Sequence, residues 1–102
     1  MIYHSILGKK ITVTSERKRH ILIYHPDLKP YFTSLKEVFL EPDEIRISKS
    51  DSTVLLFYKF FANIKDGKYL VGVVKFNQRS FVLTAYLSNR KLSGEEYEYE
   101  KE

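Results

Sequence analysis

The feature that most constrains the fold is a series of strand-like segments in the second half of the chain. TVLLFYKFF (53–61) is followed by the turn signal Asp66-Gly67 and KYLVGVVKF (68–76), and NQRS then leads into SFVLTAYLS (80–88). β-branched and aromatic residues favour strands, and short turns between successive strands favour antiparallel pairing. Together with EIRIS (44–48), these segments predict an antiparallel sheet of about four strands.

A first helix is predicted ahead of this sheet, in SERKRHILIYHPDL (15–28). KKITVT (9–14) before it predicts a short strand or extended entry. Thr14 or Ser15 can cap the helix, and Pro26 ends it near the two preceding residues because a residue before proline avoids the α region.

A second helix is predicted from Asp27 to about Leu40. Its apolar residues recur at helical spacing and would form a buried stripe, namely Leu28, Phe32, Leu35, Val38 and Phe39. The predicted architecture is therefore α+β, with two N-terminal helices followed by an antiparallel sheet of about four strands.

Charge divides the chain into a basic body and an acidic end. Residues 1–92 hold 16 Lys+Arg against 8 Asp+Glu, a net charge of +8, whereas residues 93–102 hold five Glu and one Lys, a net charge of −4. We predict a single domain over 1–92 and a flexible acidic tail over 93–102. A basic body attracts polyanions such as nucleic acid, although a basic surface also serves solubility alone. The tail is expected to be solvated, and the less favoured alternative is that it covers the basic surface as a nucleic-acid mimic.

The composition also excludes several classes of function. The chain has no cysteine, which removes disulfides, thiolate metal sites and cysteine nucleophiles. No segment approaches ~20 apolar residues, so no membrane partner is expected. The N-terminus MIYHSILGKK lacks the pattern of a signal peptide. A cytoplasmic location is the resulting expectation.

The first helix concentrates cations and two of the three histidines. At about 100° per residue, Arg17, His20, Ile21 and Tyr24 lie within one arc, and His25 follows at the helix end. Two interpretations remain open. Either this face borders a polar cleft, or it is a solvated basic face with His25 acting as a C-terminal cap.

RNA cleavage is the chemistry that these residue types suit best. His20 and His25 are five residues apart, rather than the three or four that align two metal ligands on a helix, so neither a metal site nor a cofactor is expected. Cleavage through the 2′-hydroxyl of RNA needs only proton transfers near neutral pH, for which histidine is suited. It also needs cations to stabilise the charged phosphate, and arginine and lysine supply them.

Several segments resemble a known family. ERKRHILIYHPDL, EVFLEPDEIRIS, YLVGVVK and FVLTAY are similar to the phage barnase–EndoU–colicin–RelE-like nucleases, over about residues 11–87. The resemblance implies a barnase/RelE-like fold and a metal-independent endoribonuclease that produces 2′,3′-cyclic phosphate ends. It further implies a toxin of a toxin–antitoxin system or a phage-borne effector. The implied partners are RNA, as tRNA or mRNA, and a protein antitoxin, and the chain is a monomer or a dimer.

The resemblance also implies roles for individual residues. His20 would act as general base or acid and Arg17 would hold the phosphate, while His25 would be either the partner acid or a structural histidine. The implied catalytic set is completed by Thr84 and Tyr86. The implied substrate-binding residues are Tyr58, Lys75 and Arg19. Taken as ordinary strand residues, Tyr58 and Tyr86 are core aromatics, Lys75 is a solvated cation and Thr84 has no special role.

Two other classes of function remain open. The same fold can be a non-catalytic module that binds RNA or DNA, with an affinity that falls steeply with salt. It can also be a protein-interaction domain, for which no salt-dependent binding of nucleic acid is expected.

Overall fold

The chain has an α+β fold, and the computed structural model describes residues 1–89 and 95–97. It begins with strands β1 (Ile2–His4) and β2 (Lys10–Thr12). The helical elements follow as α1 (Ser15–Tyr24), a 3-10 helix (Pro26–Ser34) and α2 (Leu35–Leu40). The later strands are β3 (Glu44–Ile47), β4 (Val54–Phe61), β5 (Lys68–Phe76), β6 (Ser80–Ser88) and β7 (Glu95–Glu96).

Within the described residues the strands form one mixed sheet in the order β1-β2-β6-β5-β4-β3-β7. Neighbouring strands are antiparallel except for β2 and β6, which pair in parallel through Thr12 and Phe81. The prediction of two N-terminal helices followed by a purely antiparallel sheet of about four strands is therefore wrong. Strands β1 and β2 precede the helices, and segments of three residues contain too little alternation to reveal their pairing.

The four central strands predicted from the alternating segments are confirmed as β3 to β6. They form a continuous antiparallel meander in which Tyr58 lies opposite Val71, and Val71 lies opposite Tyr86. A register shift between Val73 and Val74 interrupts the β5–β6 ladder. Bulges of this kind turn side chains away from the regular alternation, and this one lies close to the site described below.

Helix α1 begins and ends where the sequence predicts. The Thr14 hydroxyl caps it by accepting a hydrogen bond from the Arg17 backbone N–H at 3.0 Å. The helix stops at Tyr24, two residues before Pro26, and His25 is its C-cap. Its one buried residue is Ile21, so most of α1 is available at the surface.

The second predicted helix is observed in two parts rather than as one α-helix. Pro30 lies inside the first part and lacks the N–H that an α-helical ladder needs, and this part is a 3-10 helix. All five residues of the predicted apolar stripe are nevertheless buried, namely Leu28, Phe32, Leu35, Val38 and Phe39. No helix in the described ranges is long and apolar enough to cross a bilayer.

Phe39 connects α2 to the sheet at the centre of the main core. Its ring centroid lies 5.5 Å from that of Tyr3 and 5.3 Å from that of Phe57, the latter edge-to-face. On β5 it covers Gly72, where an added Cβ would lie 2.5 Å from a ring carbon of Phe39. The missing side chain at this glycine therefore permits α2 to pack closely on the sheet.

The sheet has a second buried cluster on its other face, formed by Leu56, Tyr58 and Val71. Tyr86 packs against this cluster from β6. Glu44 on β3 lies opposite Tyr58 and forms an ion pair with Arg46. We call this surface the second face. It brings the tyrosines of β4 and β6 together.

Of the predicted acidic tail, the structure describes only residues 95–97. Glu95 and Glu96 form β7, which pairs with β3, and the Tyr97 N–H donates to the Ile45 carbonyl at 2.7 Å. The rest of the predicted flexible tail lies outside the described residues. Strand β7 is at the end of the sheet opposite to β1 and β2, so residues 95–97 are separated from β6 by three strands.

Candidate functional site

A cleft of about 300 Å³ lies between α1 and the edge of β6. It exists because β2 pairs with β6 only through Phe81, so that the helix rather than another strand flanks the following residues of β6. Among the residues that line this α1–β6 cleft are Arg17, His20, Tyr24, His25, Leu83 and Thr84. Arg17 and His20 thus border a cleft, while His20 is also exposed to solvent.

Arg17 is the arginine among the residues that line the cleft. Its Nη1 donates to the Leu83 carbonyl at 3.4 Å, which orients the guanidinium across the gap between the helix and β6. The Thr14 cap fixes the first turn of the helix at the Arg17 backbone. A guanidinium has five N–H donors, so one bond to a carbonyl leaves donors that can hold an anion such as a phosphate.

His20 and Tyr24 form the exposed wall of the cleft. They are one helical turn apart, and their ring centroids are separated by 4.7 Å. His20 is exposed, and 69% of the Tyr24 surface is accessible. An imidazole in this position can exchange protons with a bound ligand and with solvent.

His25 joins the cleft to the second face. Its backbone N–H donates to the Ile21 carbonyl at 2.8 Å and thereby caps α1. Its ring centroid lies 6.0 Å from that of Tyr86. His25 thus has a structural position at the helix end and also lines the cleft, so both roles predicted for it remain open.

Thr84 and Tyr86 come from the same strand, but their environments differ. Thr84 lines the cleft, whereas Tyr86 lies behind His25 and packs on the second face. Burial raises the pKa of Tyr86 to about 12, with the neighbouring Tyr58 hydroxyl as a secondary cause. Tyr86 therefore keeps its proton at neutral pH and can donate a hydrogen bond.

Tyr58 is fully buried on the second face. Its hydroxyl has no hydrogen-bond partner of ordinary geometry among the described residues, although it is close enough to Tyr86 to influence the ionisation of Tyr86. A ring without exposed surface cannot stack on a base in this conformation. The structure thus separates Tyr58 from the cleft and makes it a neighbour of Tyr86.

Lys75 and Arg19 also lie outside the cleft lining. The Lys75 ammonium donates to Asp51 Oδ2 at 2.6 Å, and this bond, together with those from Thr53, holds the pKa of Asp51 well below its usual range. Arg19 is exposed on another face of α1. Within residues 1–89 and 95–97, no three side chains of His, Asp or Glu form a group that could hold a metal ion.

The structure therefore brings together four of the eight residues singled out from the sequence, and a fifth lies next to them. Arg17, His20, His25 and Thr84 line the cleft, and Tyr86 contacts it through His25. Tyr24 and Leu83 also line the cleft, although the sequence did not assign them to the site. The helical spacing contained a signal for Tyr24, but no sequence signal reveals the irregularity of the β5–β6 ladder at Leu83.

The raised pKa of Tyr86 predicts that stability depends on alkaline pH. Between the ordinary tyrosine value of about 10 and the folded value of about 12, the unfolded chain loses the proton and the folded chain keeps it. The unfolded state then binds fewer protons, so the free energy of unfolding falls as the pH rises through this window. Urea unfolding at about pH 9 and about pH 11.5 should show a smaller decline in Tyr86→Phe than in the unmodified chain.

Burial also raises the pKa of Tyr3. Because Tyr3 is present in the unmodified chain and in Tyr86→Phe, its contribution to the decline in stability cancels in the comparison. An equal decline in the two chains would contradict the assigned environment of Tyr86.

The comparisons with known proteins do not add to this picture. No family model, no curated protein and no solved structure matches the chain. The functional proposal consequently rests on the residues of the α1–β6 cleft and on the resemblance in sequence.

Proposed function

We propose that the protein is a metal-independent endoribonuclease whose active site is the α1–β6 cleft. The observation that carries the proposal is that Arg17, His20, His25 and Thr84 line one cleft, although Thr84 is separated from the others by 59 or more positions in the sequence. A cation, two imidazoles and a hydroxyl are groups that suit cleavage through a 2′-hydroxyl, because it needs proton transfers and stabilisation of charge on the phosphate. Side chains that only packed α1 against β6 would not need this combination of charged and polar groups.

The proposed reaction uses the substrate as its own nucleophile. The 2′-oxygen attacks the adjacent phosphorus, the bond to the 5′-oxygen breaks, and the products are a 2′,3′-cyclic phosphate and a free 5′-hydroxyl. His20 exchanges the proton at one of these two oxygens, and His25 is either its partner or the residue that orients the helix end. Arg17 and Thr84 bind the phosphate oxygens, on which negative charge increases in the transition state.

The biological setting in this proposal comes from the resemblance, except for the cytoplasmic location, which comes from the sequence pattern of the N-terminus. The setting is that of a barnase–EndoU–colicin–RelE-like nuclease with a barnase/RelE-like core, acting in the cytoplasm on tRNA or mRNA as a toxin or a phage-borne effector. A protein antitoxin would then be its partner. The α+β fold is compatible with this class but does not distinguish it from others.

The test is incubation of the purified chain with total tRNA and mRNA in excess EDTA. We expect cleaved fragments whose 3′ ends carry a cyclic phosphate and whose 5′ ends carry a hydroxyl. Intact RNA after long incubation, or cleavage that EDTA abolishes, would contradict the proposal.

A second candidate is a module that binds nucleic acid in the same cleft without cutting it. The observation that favours it is the position of His25, which caps α1 and packs on Tyr86 and so has a structural reason to be present. For this candidate, the expected result is binding that weakens steeply with salt, without any cleavage products.

A further inference from the structure

The α1–β6 cleft continues along the helix into two further cavities. One of about 320 Å³ is lined by Thr14, Glu16, Arg17 and His20. Another of about 190 Å³ is lined by Thr12, Thr14, Arg17, Phe81 and Val82. Arg17 borders all three cavities, and we call the surface that they form around its side chain the groove.

The groove is too long for a single phosphate. From Thr14 to Tyr24 the helix advances ten residues, which corresponds to about 15 Å at 1.5 Å per residue. A stacked nucleic-acid strand advances about 3.4 Å per nucleotide, so several nucleotides fit along this length. This length is therefore sufficient for a polymer whose chain passes Arg17.

An accessible aromatic ring borders the groove at each end. Phe81, which has 38% of its surface accessible, lines the cavity next to β2, and Tyr24, with 69%, lines the opposite end beyond His20. A ligand with a flat apolar surface can therefore stack on the accessible part of either ring. Unpaired bases have such a surface, and proteins that bind single strands combine cations for the backbone with aromatic rings for the bases.

The charges along the groove favour one arrangement of the polymer. Arg17 supplies a cation, whereas Glu16 adds a carboxylate to the cavity that both residues line together with His20. A phosphate is repelled by Glu16 and is better held on the β6 side of Arg17, where Thr84 lies. The carboxylate can instead accept hydrogen bonds from the N–H groups of a base.

We propose that the groove binds single-stranded RNA, with one phosphate at Arg17 and the flanking bases stacked on Phe81 and Tyr24. The identity of the polymer as RNA rests on the proposed function, whereas the two stacking subsites rest on the groove. A duplex is excluded from this mode because its bases are stacked on one another and present no free faces.

The test measures binding separately from cleavage. The probe is a fluorescent 2′-deoxy oligonucleotide of mixed sequence, which lacks the nucleophilic hydroxyl, compared with a hairpin of the same composition. Phe81→Leu and Tyr24→Leu should each weaken binding of the single strand by about 5- to 150-fold, the range expected for loss of one stacked base. The unmodified chain should bind the hairpin more weakly than the single strand.

Phe60→Leu is the matched control, because Phe60 is an exposed aromatic on β4 and lines none of the three cavities. The affinity of Phe60→Leu for the single strand should stay within about twofold of the affinity of the unmodified chain. Phe81→Tyr keeps the ring and should retain most of the affinity, which separates loss of stacking from loss of folding. Circular dichroism of each variant checks that the fold is intact.

The outcomes distinguish the two proposals. If the unmodified chain cleaves RNA but Phe81→Leu and Tyr24→Leu bind normally, the stacking subsites are overturned and the nuclease stands. If both variants lose affinity but RNA is never cleaved, the subsites stand and the nuclease is overturned. Equal binding of the hairpin and the single strand would also overturn the subsites.

Discussion

Replacing His20 by glutamine is expected to lower the rate of RNA cleavage by about 10²–10⁴-fold, the usual contribution of a general acid or base. Glutamine preserves a polar side chain of similar length but cannot transfer a proton near neutral pH. His20 is exposed, so the free energy of unfolding should change by no more than about 0.5 kcal/mol. The measurement is the single-turnover rate in EDTA with the protein in saturating excess over the RNA, which isolates the bond-breaking step from binding.

The chain offers a matched control in its remaining histidine. His4 is also exposed, but it lies on β1, which is separated from β6 by β2. His4→Gln should cleave at the unmodified rate. If His20→Gln retains that rate as well, His20 has no catalytic role and the proposed mechanism fails.

Replacing Phe39 by alanine is expected to have the largest effect on stability, a loss of about 3–5 kcal/mol. The substitution removes ring contacts with Tyr3 and Phe57 and leaves a cavity above Gly72 that no neighbouring side chain can fill without rearrangement. Domains of this size are stable by about 5–15 kcal/mol, so the loss is a large fraction of the total. Urea unfolding followed by circular dichroism measures it.

Phe60→Ala provides the comparison for this stability effect. Phe60 is 47% exposed, and its ring packs mainly against Tyr69. Its replacement should therefore cost much less than that of Phe39. Similar losses of unfolding free energy in Phe39→Ala and Phe60→Ala would contradict the central position assigned to Phe39.

The parts of the fold that sequence predicts correctly are those with long, regular patterns. Strands β4, β5 and β6 have eight or nine residues each, and their alternation and turns identify them. Strands β1, β2 and β7 have three residues or fewer, and their places in the sheet depend on distant contacts such as that between Thr12 and Phe81. The 3-10 helix is a local effect of Pro30 that apolar spacing does not reveal.

The sequence predicts those residues of the candidate site that are related by the regular geometry of one helix or one strand. Helical spacing groups Arg17 and His20, and strand alternation puts Thr84 and Tyr86 on one face. Alternation does not reveal which residues of a sheet face are covered by neighbouring side chains. Tyr58 is one that is covered, since it is fully buried. Nor does alternation reveal partners in loops, such as Asp51, which binds Lys75 across 24 positions in the sequence.

The most direct test of the account is an NMR titration of the labelled chain with an uncleavable 2′-deoxy oligonucleotide at low salt. If the α1–β6 cleft holds the phosphate, the largest chemical-shift changes should occur at the amides of 17–25 and 83–86 and should be reduced by Arg17→Gln. Changes confined to β3 and β4, with the amides of the cleft unaffected, would contradict the central claim.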